Sequence, residues 1–214
     1  MTKFLIKRWY EFTLPCILEF IEFMCGIIGY VGKASASSVL IDGLRRLEYR
    51  GYDSSGLAVM NGSNPIEMRK RSGRLDNLRS LLLEQPVEGD CGISHTRWAT
   101  HGEPTDANAH PHTDQSGNLV MVHNGVIENY QVLRDQLKSE GHEFLSQTDS
   151  EVLAHLIGKH YDSSSEEDSC KRLVAAVREA LTQVAGTYGI VVMHADAPRF
   201  LVGARLGSPL VVGL

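Results

Sequence analysis

The chain has 214 residues, of which 43% are hydrophobic and 22% are charged, and its formal net charge is −5. A single domain of this length buries roughly 70% of its unfolded surface, so the composition excludes wholesale disorder, and no basic run indicates nucleic-acid binding. The four cysteines include no C-x-x-C pair, which argues against a zinc ribbon or a dense disulfide framework and favours reduced thiols in the cytoplasm.

Residues 1–23 differ from the rest of the chain because they are rich in aromatic residues and lack glycine. Glu11, Glu19 and Glu22 interrupt their apolar stretch, which stays shorter than the roughly 18 apolar residues that a membrane span needs. No small-x-small cleavage site follows, so we expect neither a membrane span nor a signal peptide. We expect residues 1–24 to be an extension ahead of one domain at 25–214, either a propeptide or sequence translated from too early a start codon.

Hydrophobic patterning predicts the elements of the first half in chain order. A buried strand at 25–32 precedes a helix that begins at a cap on Ser37 or Ser38 and ends near Tyr49. A hairpin of strands at 56–60 and 66–71 leads to a helix at 75–83 and a strand at 91–98. A long loop at 99–117 then precedes a strand at 119–122, which ends on the dipeptide Asn124-Gly125.

The second half alternates helices with strands in the same way. Helices are predicted at 128–139, 148–161 and 171–184, and a capping box of Thr148 and Glu151 opens the second of them. Strands are predicted at 188–194, 199–205 and 209–213. Short strands in hairpins with helices between them indicate layered sheets covered by helices, in the α+β class.

Five histidines lie close together in the sequence: His95, His101, His110, His112 and His123. A metal site needs three or four convergent ligands, and no H-x-x-x-H pair on a helix is present. We therefore predict no metal and no cofactor, and we expect these histidines to cap loops or contact substrate.

Cys25 is the strongest candidate nucleophile because Gly26 beside it leaves the thiol open to approach. A lone cysteine is more often an inert buried residue, and reactivity requires a lowered pKa or a nearby base. If Met24 is the true start and is removed, Cys25 becomes the N-terminus. Its own α-amine, with a pKa of about 7.7–8.0, can then serve as the base.

Three further positions carry both a structural and a chemical interpretation. Asn124-Gly125 is either a turn or an oxyanion hole. Arg97, at the end of a strand, is either a solvated cation or a bidentate clamp for a carboxylate. Asp149, in the first turn of a helix, is either a dipole partner or the carboxylate that receives a substrate ammonium.

Several motifs together resemble the glutaminase domains of the glutamine–fructose-6-phosphate aminotransferases (isomerizing), also called glucosamine-6-phosphate synthases. The matching segments are MCGIIG at 24–29, LRRLEYRGYDSSG at 44–56, HTRWATHGEPT at 95–105, NAHPH at 108–112, VHNGVIEN at 122–129 and TDSE at 148–151. The resemblance extends from Cys25 to the end of the chain. It implies the N-terminal-nucleophile hydrolase fold, a four-layer αββα sandwich of two antiparallel sheets.

The resemblance also implies roles for individual residues in the hydrolysis of L-glutamine to glutamate and ammonia. Cys25 matches the nucleophile, and Asn124 and Gly125 match the oxyanion hole. Arg97 and Asp149 match the residues that hold the α-carboxylate and the α-ammonium of glutamine. The remaining matches are Trp98 in the lid, Thr100 and His101 in the glutamine loop, and Arg50-Gly51 beside the nucleophile.

The full enzymes of this family carry two sugar-isomerase domains after the glutaminase, are cytoplasmic, and form homo-oligomers. We therefore expect this chain to be a fragment or a half-enzyme without the acceptor domains, and to need no nucleic acid or membrane. An amidophosphoribosyltransferase-type glutaminase is the alternative within the class, against which Tyr49 before Arg50-Gly51 and Trp98 argue. A non-catalytic glutamine-binding fragment is the other alternative, if the extension is retained.

Overall fold

The computed structural model describes residues 25–62, 65–98 and 102–213, and in these ranges the strands form two antiparallel sheets. The first sheet has the order β1-β4-β2-β3 and the second the order β5-β6-β7-β8. The strands of the first sheet are β1 (Gly26–Val31), β2 (Ser54–Met60), β3 (Glu67–Ser72) and β4 (Cys91–Arg97). Those of the second are β5 (His112–Thr113), β6 (Leu119–Ile127), β7 (Gly186–His194) and β8 (Val202–Leu206).

Five helices cover the outer faces of the two sheets in the described ranges. They are α1 (Ala36–Leu47), α2 (Leu75–Glu84), α3 (Tyr130–Ser139), α4 (Asp149–Asp162) and α5 (Ser169–Thr182), and a turn of 3₁₀ helix (Glu48–Arg50) extends α1. Helices α1 and α2 pack on the first sheet, whereas α3, α4 and α5 pack on the second. The order of layers is helices, sheet, sheet, helices, which confirms the predicted four-layer αββα sandwich of the α+β class.

The alternation of side chains along β6 decides which of them enter the space between the sheets. Val120 and Val122 join the apolar cluster between the sheets, while Leu119 and Met121 pack against the helices. Because successive side chains on a strand point to opposite faces, Asn124 continues the row that faces the first sheet. The inner face of β6 is therefore apolar at Val120 and Val122 and ends in the polar amide of Asn124.

The same alternation operates on β4, a central strand that pairs with β1 on one side and β2 on the other. Ile93 lies in the cluster between the sheets, so His95 and Arg97 continue its row toward the second sheet. Thr96, on the opposite face, donates a hydrogen bond to the carbonyl oxygen of Gly51. Beyond the apolar cluster between the sheets, β4 and β6 therefore face each other with polar side chains, and His95 contacts Asn124 there.

The helix starts differ from the predictions in two details. Helix α1 begins after Ser35, so Ser37 and Ser38 lie inside it, and the Ser35 hydroxyl makes no capping hydrogen bond to the backbone. Thr148 does cap α4 by accepting a hydrogen bond from the Glu151 N–H. The Glu151 carboxylate does not return to Thr148 but accepts hydrogen bonds from the backbone of Leu145 and Ser146, so the capping box is half-formed.

Three strand predictions are corrected. The strand predicted at 119–122 continues through Asn124-Gly125 to Ile127, because the whole segment pairs with β7. The short strand β5 lies within the predicted loop at 99–117. Residues 209–213 form no strand, and the predicted turn at 61–65 lies partly outside the described residues. None of the described helices is long and apolar enough to cross a membrane.

Candidate active site

Cys25 lies directly before β1, half-buried, and its sulfur is held by the backbone of the residue that follows β4. The N–H of Trp98 donates a hydrogen bond to the sulfur at 3.2 Å, and the thiol lies 3.7 Å from the carbonyl oxygen of Trp98. Burial raises the pKa of the Cys25 thiol, and the nearby Asp53 charge adds to this rise. The Trp98 N–H and the Arg97 charge oppose the rise without cancelling it. The thiol therefore needs a base before it can act as a nucleophile near neutral pH.

Asn124 reaches across from the second sheet and contacts the same residue. Its Nδ2 donates a hydrogen bond to the carbonyl oxygen of Cys25 at 2.9 Å. A side-chain amide nitrogen carries two N–H groups, so this bond leaves a second donor beside the nucleophile. The structure thus brings the side-chain amide of Asn124 to the backbone of Cys25.

Gly125 follows Asn124 inside β6 and has a φ of 139°, outside the range of a regular strand. A Cβ atom at this position would collide with the carbonyl oxygen of Thr187 on β7. Only glycine combines this dihedral angle with so close an approach of the neighbouring strand. The Asn-Gly pair is therefore not a turn but a local distortion of a paired strand next to Cys25.

Arg97 ends β4 and is 4% exposed. Its guanidinium donates hydrogen bonds to the carbonyl oxygens of Gly102 at 3.2 Å and Glu103 at 3.3 Å, so it holds the beginning of the loop that follows. The half-buried Trp98 stands next to it, and its ring meets the ring of Tyr52 edge-on at 5.3 Å. Arg97 thus places a buried positive charge near Cys25 on the first sheet.

Asp149 is the first residue of α4 and is 5% exposed. Its Oδ2 accepts a hydrogen bond from the N–H of Ile127 at 2.8 Å, which ties the start of α4 to the end of β6. The carboxylate at the helix N-terminus is stabilised by the helix dipole, as the structural interpretation expects. The buried Asp149 carboxylate therefore lies against the end of β6, two residues beyond Gly125.

Gly51 lies against the backbone that holds the nucleophile. A Cβ atom at this position would lie 2.7 Å from the carbonyl carbon of Arg97, so a larger residue would push Arg97 and Trp98 away. The side chain of Arg50, together with Thr100 and His101, lies outside the described part of the chain. The predictions for these three residues therefore remain predictions.

Asn108 connects two parts of the site that the sequence analysis treats separately. Its Nδ2 donates to the carbonyl oxygen of Glu103 at 2.9 Å, and its Oδ1 accepts from the N–H of Gln147 at 2.9 Å. Asn108 thereby links the loop held by Arg97 to the residues just before Asp149. It lies inside the matching segment NAHPH, but its spacing alone gave it no role.

Four of the five clustered histidines are described, and all four are buried: His95, His110, His112 and His123. Burial lowers the pKa of His95 to about 3 and the pKa of each of the other three below its ordinary value, so they are neutral near pH 7. In the described ranges, no three His, Cys, Asp or Glu side chains converge as metal ligands. The spacing of these histidines in the sequence did not predict that all four are buried.

A cavity of about 590 Å³ is lined in part by Cys25 and Asn124. Its walls are mainly apolar and include Ile27 from the first sheet, Leu201 before β8, and the segment 208–213. Neither Arg97 nor Asp149 lines it. Cys25 and Asn124 therefore lie at the edge of a mainly apolar cavity.

Comparison with protein families and curated proteins gives a consistent result. The family model described as "Glutamine amidotransferase domain" matches residues 95–211. The chain is 52% identical to the proteins named glutamine–fructose-6-phosphate aminotransferase [isomerizing] of Chlorobaculum tepidum and Thermus thermophilus, over 194 and 191 residues. These alignments cover 89% of this chain but only 31% and 30% of the relatives, so the chain spans less than a third of their length.

Two solved structures share the fold. The chain is similar to glutamine phosphoribosylpyrophosphate amidotransferase from B. subtilis, with a TM-score of 0.65 and 26% identity over 79% of this chain and 35% of that chain. It is also similar to a structure described as the allosteric regulatory enzyme of purine biosynthesis, with a TM-score of 0.67 and 27% identity over the same shares. Both comparisons agree with the αββα sandwich of the N-terminal-nucleophile amidotransferases.

Proposed function

The chain belongs to the glutamine amidotransferase domain family, and on that premise we propose that it hydrolyses L-glutamine to glutamate and ammonia with Cys25 as the nucleophile. The observation that carries the proposal is the convergence of two donors on Cys25 from different sheets. The Trp98 N–H lies 3.2 Å from the sulfur, and Asn124 Nδ2 lies 2.9 Å from the carbonyl oxygen of the same residue. Such donors stabilise first a thiolate and then an oxyanion.

Glutamine binds with its amino-acid end toward Arg97 and Asp149. The Arg97 guanidinium takes the α-carboxylate, for which its planar fork is suited, and the Asp149 carboxylate takes the α-ammonium. Trp98, Thr100 and His101 complete the enclosure of the substrate, while Gly51 and Arg50 support the segment beside the nucleophile. The side-chain amide then lies over Cys25.

The Cys25 thiolate attacks the side-chain amide carbon, and the carbonyl oxygen becomes an oxyanion. The second N–H of Asn124 and the N–H of Gly125 stabilise that oxyanion. The α-amine of Cys25 takes the thiol proton and delivers it to the amide nitrogen, so the C–N bond breaks and ammonia leaves. Water then attacks the γ-glutamyl thioester, which releases glutamate and restores the thiol.

We further propose that the ammonia serves a larger enzyme. The curated relatives are named for the transfer of the glutamine amide to fructose 6-phosphate, and this chain matches less than a third of them. In that enzyme, sugar-isomerase domains would be the partners of this chain and glucosamine 6-phosphate would be the product. The enzyme would be a homo-oligomer in the cytoplasm. Residues 1–24 would be an extension that is absent from the active form, in which Cys25 is the N-terminus.

An amidophosphoribosyltransferase-type glutaminase is the second candidate, because one of the solved structures similar to this chain is such an enzyme. Their identity of 26–27% is about half that of the aminotransferase relatives. Tyr49 before Arg50-Gly51 and Trp98 after Arg97 also favour the aminotransferase type. The first proposal is therefore the better supported.

The test is to replace Cys25 in a chain that begins at this residue. Cys25→Ala should abolish glutamate release, while calorimetric titration should still detect glutamine because Arg97 and Asp149 are intact. Cys170→Ala is the matched control, since Cys170 is also half-buried and lies in the first turn of α5, away from Cys25. Glutamate release by Cys25→Ala above a few per cent of the wild-type rate would contradict the proposal.

A further inference from the structure

His95 stands behind the oxyanion hole and takes no part in the reaction steps given above. It is 0% exposed and lies on the central strand β4, paired with Ile27 on β1 and Gly56 on β2. Its Nε2 lies 2.8 Å from Asn124 Oδ1 and 3.1 Å from the carbonyl oxygen of His123. The imidazole therefore spans the gap between the sheets and contacts the amide that approaches Cys25.

The chemistry of the two neighbours assigns the proton on this ring. The carbonyl oxygen of His123 has no hydrogen to donate, so the hydrogen bond requires Nε2 to carry the proton. The same N–H then donates to Asn124 Oδ1. The other ring nitrogen, Nδ1, is buried and has no hydrogen-bond partner among the described residues, which suits a nitrogen without a proton.

This proton assignment fixes the orientation of the Asn124 amide. With Oδ1 on His95 Nε2, Nδ2 must face Cys25, where it donates to the carbonyl oxygen at 2.9 Å. A flipped amide would place two donors against each other at His95 and two acceptors against each other at Cys25. Each mismatch would leave a desolvated polar group without a hydrogen-bond partner, which disfavours the flipped orientation.

We propose that His95 is a positioning residue that holds the Asn124 amide with its N–H groups toward Cys25 and the developing oxyanion. The inference rests on the proposed function, because it assumes that Asn124 stabilises the oxyanion. An oxyanion donor accelerates the reaction only if it is oriented before the charge develops. His95 supplies that orientation from the opposite sheet.

The surroundings keep the ring neutral and in one plane. Burial lowers the pKa of His95 to about 3, so the imidazole does not gain a proton at neutral pH. The ring of His110 stacks on it with centroids 4.1 Å apart and planes inclined by 28°. Strand β4 is hydrogen-bonded to β1 on one side and to β2 on the other, so the backbone of His95 has little freedom to shift.

The first test compares His95→Gln with His95→Asn in the form of the protein that releases glutamate. A glutamine amide nitrogen can occupy about the place of histidine Nε2, whereas the amide nitrogen of asparagine lies nearer the backbone, at the place of Nδ1. We expect His95→Asn to lower kcat by about 10- to 100-fold, somewhat less than loss of the donor itself. We expect His95→Gln to remain within about threefold of the wild type, and the KM for glutamine to change little in both variants.

Two probes separate orientation of the donor from general damage. An aldehyde analogue of glutamine forms a tetrahedral adduct on Cys25, so His95→Asn should weaken its binding by the same factor as kcat. Iodoacetamide alkylates the thiol without needing an oxyanion hole, so its rate should be unchanged. His155→Asn is the control. His155 is also buried, but it lies on α4 and contacts His142 and Phe144, which precede that helix, rather than Asn124.

A further measurement uses only the wild-type protein and holds even if the variants fail to fold. Two-bond ¹H–¹⁵N correlation of the imidazole should show His95 as the neutral tautomer with its proton on Nε2. The opposite tautomer, or a protonated ring at pH 7, would overturn the inference. Equal kcat values for His95→Asn and His95→Gln, or a loss confined to KM, would overturn it too. A wild type without glutaminase activity would instead overturn the proposed function, and the tautomer would still decide whether His95 donates to Asn124.

Discussion

Asn124 uses both ends of its amide at once, with Oδ1 toward His95 and Nδ2 toward Cys25. This arrangement distinguishes it from an asparagine in a turn, which would bond to its own backbone. The half-buried side chain is held at both ends between the two sheets, so its orientation is fixed before substrate arrives. Its contribution should therefore appear in the transition state rather than in the binding of glutamine.

Asn124→Ala should lower kcat by about 10²- to 10³-fold with little change in KM, because one oxyanion donor is worth about 2.7–4 kcal/mol. Steady-state glutamate release at several glutamine concentrations measures both constants. Asn118→Ala, a change of an exposed asparagine on the loop before β6, should change neither. An unchanged kcat with a raised KM would make Asn124 a ground-state contact only.

At single positions, the sequence analysis named candidates for contact with the substrate and, in Arg50 and Gly51, for support of the nucleophile. It did not predict which side chains hold those candidates in place from other strands and loops. Cys25 lies directly before β1, and Asn124 and Gly125 lie within β6. The Asn124 side chain joins the two strands at Cys25. The sequence predicts that His95 caps a loop or contacts substrate, and it gives Asn108 no role. In the structure His95 instead contacts Asn124 across the two sheets, because burial and cross-sheet partners depend on which strands become neighbours. The alternation of Ile93, His95 and Arg97 along β4 is the signal that would have placed His95 beside Arg97 on the inner face.

Strand β6 shows how pairing can override a local preference. Asn-Gly favours a two-residue hairpin turn, yet here both residues pair with β7, Asn124 opposite Gly189 and Gly125 opposite Tyr188. The long ladder with β7 outweighs the turn preference, and the positive φ of Gly125 absorbs the distortion. Sequence patterning located the strand but could not predict that it continues through its turn signal.

Asn108 is the side chain through which the loop after β4 meets the start of α4. Asn108→Ala removes its bonds to Glu103 and Gln147, each worth about 1 kcal/mol net. The positions of Arg97 and Asp149 should then be less fixed, so we expect the KM for glutamine to rise by about tenfold while kcat falls less. Steady-state kinetics with Asn118→Ala as the control would check this, and an effect confined to kcat would contradict it.

The whole molecule buries several histidines in their neutral form, and this has a consequence for stability against acid. Burial lowers the pKa of His95 to about 3 and of His155 to about 4, whereas an unfolded histidine titrates near ~6.5. Below pH ~6.5 the unfolded chain binds protons that the folded chain excludes. The free energy of unfolding should therefore fall as the pH decreases from about 6.5 toward 4.

Replacing one of these histidines should reduce that dependence. His155→Phe removes one group, so between pH 6 and 4.5 its free energy of unfolding should fall less steeply, by up to about 1.4 kcal/mol per pH unit. Urea unfolding at several pH values gives the two slopes, whose difference is independent of any loss of packing at pH 7. Equal slopes for the variant and the wild type would show that His155 is not held neutral in the folded state.

The state of the chain before Cys25 decides whether the proposed site can work at all. Burial raises the pKa of the Cys25 thiol, so near neutral pH the sulfur is protonated and needs a base. The proposed base is the α-amine of the same residue, with a pKa of about 7.7–8.0 when it is free. A peptide bond to Met24 converts that amine into an amide without basicity.

We therefore predict that the chain that begins at Met1 releases no glutamate and that the chain that begins at Cys25 does. Both forms are expressed, the mass of each N-terminus is determined, and glutamate release is assayed at equal concentrations. Calorimetric titration with glutamine gives the internal control, because Arg97 and Asp149 do not depend on the base. Equal activity of a verified Met1 form would mean that another group accepts the thiol proton, and the role of the α-amine would have to be withdrawn even if glutamine binding were intact.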